Sequence, residues 1–150
     1  MGMYTEFVFA VSLLHDTPKN VLSILDYLVN DKGDISSIIP NHEFFNCDRY
    51  AYIARCSSYY FGYSNSNSSF IINEGKFSNE YLLSIRSSVK NYSNEIDKFV
   101  DWIRAYVKSG SGTKDLLGYK LYEADTIPYL FYKDTEFEKL LNYNFEYNNF

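Results

Sequence analysis

From Tyr4 to Leu14 apolar and polar positions alternate. Phe7, Phe9, Val11 and Leu13 fall on one side and Glu6, Val8, Ala10 and Ser12 on the other, the period of a strand with one buried face. Asp16-Thr17-Pro18 then offers a capping residue and a Pro suited to the first helical position, where its missing N–H is not needed. Val21, Leu22, Ile24, Leu25, Leu28 and Val29 recur at helical spacing, which predicts an amphipathic helix stopped by Asp31-Lys32-Gly33-Asp34. Residues 35–56 keep no period. Ile38-Ile39-Pro40-Asn41 closes an apolar run in a turn, and Tyr50 to Ala54 fits a short strand or one helical turn.

Beyond Ser57 the pattern sharpens into strands at Ser58 to Tyr63, Ser69 to Asn73 and Tyr81 to Val89, separated by Asn65-Ser66-Asn67 and Glu74-Gly75. In the last, Tyr81, Leu83, Ile85, Ser87 and Val89 share one face, leaving Arg86 and Lys90 on the other. Ile96, Phe99, Val100, Ile103 and Val107 predict a second helix from about Asn94 to Lys108, flanked by Trp102 and Tyr106. Ser93 or Asn94 suits its cap, Glu95 and Asp97 its positive end, Arg104 and Lys108 its negative end, and Ser109-Gly110-Ser111-Gly112 its stop. A hairpin from Leu116 to Glu123 and Tyr129 to Lys133 follows, then a short helix, Phe137 to Leu141, before a fraying Asn- and Tyr-rich end.

This order, β-α-β-β-β-α-β-β, predicts an α+β fold: a two-layer sandwich with a mostly antiparallel sheet of about six strands and two amphipathic helices on one face. The other face is expected to be open and to display Arg86, Lys90, Lys120 and several tyrosines. Residues 1–150 read as one domain, with 134–150 as a C-terminal extension.

Composition changes the picture in two respects. The chain holds 16 Tyr, 12 Phe and one Trp but only two His and two Cys, so packing groups are plentiful and reactive groups scarce. Its net charge of −5 is uneven, acidic over residues 1–48 and 109–150 and positive between them. A negative field opposes direct binding to nucleic acid, whose affinity comes from Lys and Arg neutralising phosphates, and it favours a basic partner. No apolar run approaches the roughly 20 residues of a membrane span. Met-Gly-Met-Tyr-Thr-Glu carries no signal-peptide pattern, so a cytoplasmic location with two free thiols is expected.

None of the chemical constellations meets its own requirements. His42, Cys47, Asp48 and Cys56 are zinc-ligand types without the close-paired spacing of a zinc site, so no metal is expected. His15 and His42 supply a base for a Ser or Cys nucleophile, yet no spacing ties them to one. Gly110-Ser111-Gly112-Thr113-Lys114 resembles a phosphate loop but closes a helix where such a loop opens one. The expectation is therefore a protein that is not an enzyme and needs no cofactor. Tyr59-Tyr60-Phe61-Gly62-Tyr63 beside Arg86 and Lys90 looks like an aromatic platform for bases.

Met3-Tyr4-Thr5-Glu6-Phe7, Asp16-Thr17-Pro18, Ser57-Ser58-Tyr59-Tyr60-Phe61-Gly62, Val89-Lys90-Asn91-Tyr92 with Glu95-Ile96, and Asp101-Trp102-Ile103 together resemble a group of small bacteriophage and prophage proteins, chiefly of Firmicutes. The similarity extends to about Tyr132, and its motifs carry no catalytic role. The resemblance implies a mobile-element origin and, with the acidity, a protein-binding inhibitor of a host defence system, anti-CRISPR-like, whose acidic face blocks a nuclease. The expected partner-binding residues are Asp26, Asp31, Asp34, Glu136 and Glu138. The alternatives are a nucleotide- or single-strand-binding module using Tyr60, Arg86 and Lys90, a toxin-immunity protein and a phage structural protein.

Overall fold

In a computed structural model describing residues 3–57, 67–110 and 115–143, the chain forms an antiparallel five-stranded sheet and three α-helices, an α+β fold. The strands are β1 (Thr5–Leu13), β2 (Ser69–Glu74), β3 (Asn79–Val89), β4 (Leu116–Tyr122) and β5 (Tyr129–Tyr132), ordered β2-β3-β1-β4-β5. The expected strand from Ser58 to Tyr63 lies outside the described residues. β1 sits at the centre, and its alternation selects the core face: Phe7, Phe9 and Leu13 are 0%, 0% and 2% exposed. Phe9 lies opposite Ile85, and Val11 opposite Leu83, which also faces Phe70 of β2. Gly118 lies opposite Phe9 on β4, where a Cβ would overlap the Val8 carbonyl oxygen, so only glycine lets these strands approach.

α1 (Lys19–Asn30) buries Val21, Leu22, Ile24, Leu25 and Leu28. Asp16 does not cap it. Pro18 occupies the N-cap itself, no side chain caps the helix, and the Thr17 hydroxyl donates back to the Leu14 carbonyl. Asp31 ends α1 in the left-handed region at φ 56° and donates its N–H to the Tyr27 carbonyl at 3.0 Å.

α2 (Glu95–Ile103) is shorter than its apolar stripe predicts. Arg104–Tyr106 tightens into a 3-10 turn, because the following backbone joins β1: Leu14 N–H donates to Tyr106 O at 2.8 Å and Lys108 N–H to Ser12 O at 2.9 Å. Phe99 of α2 packs edge-on against Phe7 at 5.8 Å and Phe9 at 5.9 Å. The buried faces of α1 and α2 belong to one hydrophobic cluster with these core-facing strand residues.

The segment without a sequence period forms two 3-10 turns, Glu43–Asn46 and Tyr50–Tyr52. Phe44 meets Phe99 at 5.3 Å and Phe45 meets Trp102 at 5.0 Å, so adjacent rings are both buried against α2. α3 (Thr135–Leu141) is capped by Asp134, whose carboxylate accepts from Glu136 N and Phe137 N, and it packs on β5.

Lys120 is not on the open face. A bulge between Leu116 and Gly118 shifts β4, and Lys120 lies opposite Phe7 on the helix-bearing side, donating to Asp97 of α2 at 2.7 and 2.8 Å. Nor is the opposite face open along β1 and β3. There Glu6 and its cross-strand partner Ser88 are each 1% exposed.

Candidate ligand pocket

At the end of the sheet where β1 begins and β3 finishes, a cavity of about 720 Å³ opens between the strands, the start of α2 and the segment from Arg49 to Ser57. Two sets of contacts fix this wall, one to α1 and one to β3. Arg55 reaches to the C-terminus of α1, donating Nε to Leu28 O at 3.0 Å and Nη2 to Tyr27 O, with Asp31 at 3.3 Å from Nη1. A guanidinium suits this position, where the last carbonyls of a helix carry its negative end. Cys56 then meets the edge of β3: its N–H donates to Ser87 Oγ at 2.9 Å and its carbonyl accepts from Ser87 Oγ at 3.1 Å.

The floor is set by the turn from β3 into α2. Asn91 and Asn94 take left-handed conformations at φ 57° and 56°, a region that short amide side chains tolerate. Asn94 occupies the N-cap of α2, one of the two expected positions, but its side chain makes no capping hydrogen bond. Asn91 supplies that bond from outside the helix, its Oδ1 accepting from Ile96 N at 3.0 Å. Glu95 is 4% exposed, and its Oε1 accepts from Ser93 N at 3.4 Å. Its Oε2 and the Ser88 hydroxyl are buried without a hydrogen-bond partner among the described residues.

The lining is electrically distinct from the chain as a whole. Arg49, Arg55 and Lys90 face one carboxylate, Glu95, in a protein of net charge −5. Arg55 is committed to α1, whereas Arg49 and Lys90 make no ion pair among the described residues. Tyr4 and Tyr52 add aromatic surface. Burial pushes the Cys56 thiol above its ordinary range, with Arg49 opposing, and burial likewise raises Cys47, so both thiols stay protonated near neutrality.

Sequence-expected site residues are distributed over the fold rather than gathered here. Lys90 lines the cavity; Tyr60 lies outside the described residues; Arg86 sits on β3, opposite Val8. Asp26, Asp31 and Asp34 cluster at the end of α1, where Asp26 accepts from Asn30 at 2.7 Å and Asp31 pairs with Arg55. The Ser36 N–H donates to Asp34 at 2.9 Å and holds its carboxyl below the usual range. Glu136 is exposed on α3, but Glu138 is 7% exposed and turned inward to Arg104. α1 packs on β2 and α3 on β5, opposite edges of the sheet and roughly 19 Å apart, so these five acids fall into two separate groups.

The remaining reactive types are engaged elsewhere. His42 Nδ1 accepts from Phe44 N at 3.1 Å, so its proton resides on Nε2, which meets Asp101 at 3.1 Å. Cys47 and Cys56 are both free, and no group of three or more His, Cys, Asp or Glu side chains is placed to hold a metal among the described residues. No helix of the described residues is long and apolar enough to cross a membrane.

Comparison of the chain with protein-family models, with curated proteins and with solved structures returned no match. Arg49, Ser88 and Glu95 were not singled out as ligand residues by sequence reading. Glu95 in particular has the pattern of an ordinary first-turn acid, and nothing in the sequence marks it as buried beside the cavity.

Proposed function

We propose that the protein is a binding module that sequesters a small anionic ligand of the nucleotide class in the cavity between β1, β3, α2 and the Arg49–Ser57 wall. The observation that carries this reading is the local reversal of charge: Arg49 and Lys90, with Arg55 tied to α1 behind them, against one carboxylate in an acidic chain. In a chain of net negative charge, such a cleft attracts anions where its low-dielectric walls concentrate the field. The volume of about 720 Å³ lies in the range of small-molecule sites. Tyr4 and Tyr52 offer faces for a base, since stacking on an aromatic ring needs no particular hydrogen-bond pattern.

A protein-binding inhibitor with one acidic face draws less support, because its five acids divide between two sheet edges and Glu138 is buried.

Thermal unfolding in the presence of millimolar nucleoside mono-, di- and triphosphates tests the proposal. A ligand bound only by the folded state raises the midpoint, by about 2.7 kcal/mol of stability at a hundredfold excess over Kd. The rise is expected to shrink with salt and to vanish in the double variant Arg49→Glu, Lys90→Glu. No rise with any nucleotide, under conditions where the protein unfolds cooperatively, overturns it.

A further inference from the structure

We propose that the outer edge of β2 is a docking surface for an extended basic peptide, which adds to the five-stranded sheet as a further strand. This edge lies away from the cavity, so the inference is independent of the nucleotide reading.

Two bonds fix which backbone groups of β2 face outward. Gly75 N–H donates to Ser78 O at 2.9 Å at the hairpin turn, and Asn67 N–H donates to Arg86 O at 3.2 Å at the other end. Bonded and non-bonded pairs alternate along an antiparallel ladder, so in this register Ser69, Ile71 and Asn73 bond to β3, while Phe70, Ile72 and Glu74 turn N–H and C=O away from it. Asn30 takes the first of these positions, donating Nδ2 to Phe70 O at 3.3 Å. The outward groups of Ile72 and Glu74 make no hydrogen bond among the described residues.

Native sheets blunt a free edge with Lys, Pro or a bulge. β2 carries none of these: Ser-Phe-Ile-Ile-Asn-Glu pairs with β3 without a register shift. Every residue from Ile71 to Glu80 is exposed, with Ile71 at 46%, Ile72 at 41% and Phe77 of the adjoining turn at 92%. Unpaired backbone and apolar side chains on both faces of one short edge are what an added strand covers.

The charges at the two ends of this stretch choose the occupant. The Asn30 amide that meets Phe70 O also donates to Asp26 Oδ1 at 2.7 Å, which places that carboxylate at one end. Glu74, and Glu80 opposite Asn73, stand at the other, four residues or roughly 13 Å along the strand. Lys76 is drawn over the Phe77 ring, its Nζ 5.6 Å from the centroid. In a two-fold antiparallel pair about Ile72, Glu74 of one protomer would face Phe70 and Asp26 of its partner, so a second copy is opposed by like charge. A strand with Lys or Arg two residues to either side of an apolar residue meets both acidic ends while its centre lies against Ile72.

The test titrates the peptide Gly-Ser-Lys-Thr-Ile-Thr-Lys-Ser-Gly into the isotope-labelled full chain and follows the backbone amide signals. The shifts are expected to concentrate at Ile72 and Glu74. The same peptide N-methylated at its Ile keeps every side chain and charge but cannot donate to the edge, and it is expected to bind roughly tenfold more weakly. The version with Glu in place of both Lys is expected to cause no shifts. Ile72→Pro removes an outward N–H that no β3 carbonyl uses, and it is expected to weaken the Lys peptide to a similar degree. Equal affinity of the plain and N-methylated peptides overturns strand addition, and binding of the Glu peptide overturns the choice of a basic partner. Absence of shifts along β2 overturns the proposal as a whole, as does a chain that sediments as a dimer with its β2 amides shifting on dilution, which gives the edge to a second copy. Because the decisive comparison is between peptides on the unaltered chain, it does not depend on a variant folding.

Discussion

Arg104 donates through Nη2 to Glu138 at 2.6 Å, joining the end of α2 to the C-terminal helix through side chains that are 16% and 10% exposed. The carboxylate also accepts from Tyr132 N at 2.9 Å and from the Tyr129 hydroxyl at 3.0 Å, so one side chain secures both the helix and the last strand. Removing either member of a buried pair strands the other. Glu138→Ala is expected to cost about 3 kcal/mol, and Glu138→Gln less because the amide still accepts from Tyr132 N. Urea denaturation midpoints measure the difference; equal stability of Glu138→Ala and the parent chain contradicts it.

Residues from Asp134 onward read in the sequence as an extension, yet the first part of them is bound into the sheet. Asn142 accepts from Leu130 N at 3.0 Å and donates to Leu130 O at 2.7 Å, pairing with β5 as a further strand would. Truncation after Lys133 is expected to lower the thermal midpoint at least as far as Glu138→Ala does. A truncated chain that melts like the full one would show that α3 contributes nothing.

Gly118 faces the backbone of β1, and a methyl group there meets Val8 O and Phe9 Cα, neither of which can rotate away. Gly118→Ala is expected to destabilise by about 2–4 kcal/mol through separation of β1 and β4. Amide exchange provides the site-specific check: protection should fall along β4 and β5 before it falls along β2.

Stability should decline in alkaline solution. Cys47 and Cys56 have folded-state pKa values raised above the ordinary 9.0, chiefly by burial, so the folded state keeps protons that the unfolded chain has released. The unfolded state then binds fewer protons, and the stability of unfolding falls as pH rises past the ordinary thiol value. Tyr50 and Tyr119 act in the same direction above their ordinary 10.0, both through burial, while Lys133, depressed by burial and then by Arg104, opposes them. Denaturation midpoints at pH 8 and above are expected to fall less steeply in a Cys47→Ala, Cys56→Ala double variant than in the parent. The same burial predicts that thiol-directed alkylation of the native protein at neutral pH is slower than that of the unfolded chain.

Local periodicity accounts for what the sequence determined by itself. Alternation in Phe7, Phe9 and Leu13, the shared face of Tyr81, Leu83 and Ile85, and the helical spacing of Val21 through Leu28 each state one element and its buried side. A half-buried strand or helix imposes its own period on neighbouring residues, so those elements and the α+β class are written along the chain. Residues 35–56 carry no such period, because Phe44 and Phe45 are consecutive and both buried; their places come from rings of α2 more than fifty positions away. The acids obeyed the same division. A carboxylate near a helix start reads as solvated whether it is Glu136, which is exposed, or Glu95 and Glu138, which are buried. Which of them meets Arg104, which is buried at the turn from β3 into α2, and which remains in water depends on how distant elements pack. The free energy of a buried charge is fixed by groups brought to it through the tertiary fold, and nearest neighbours in sequence do not encode them.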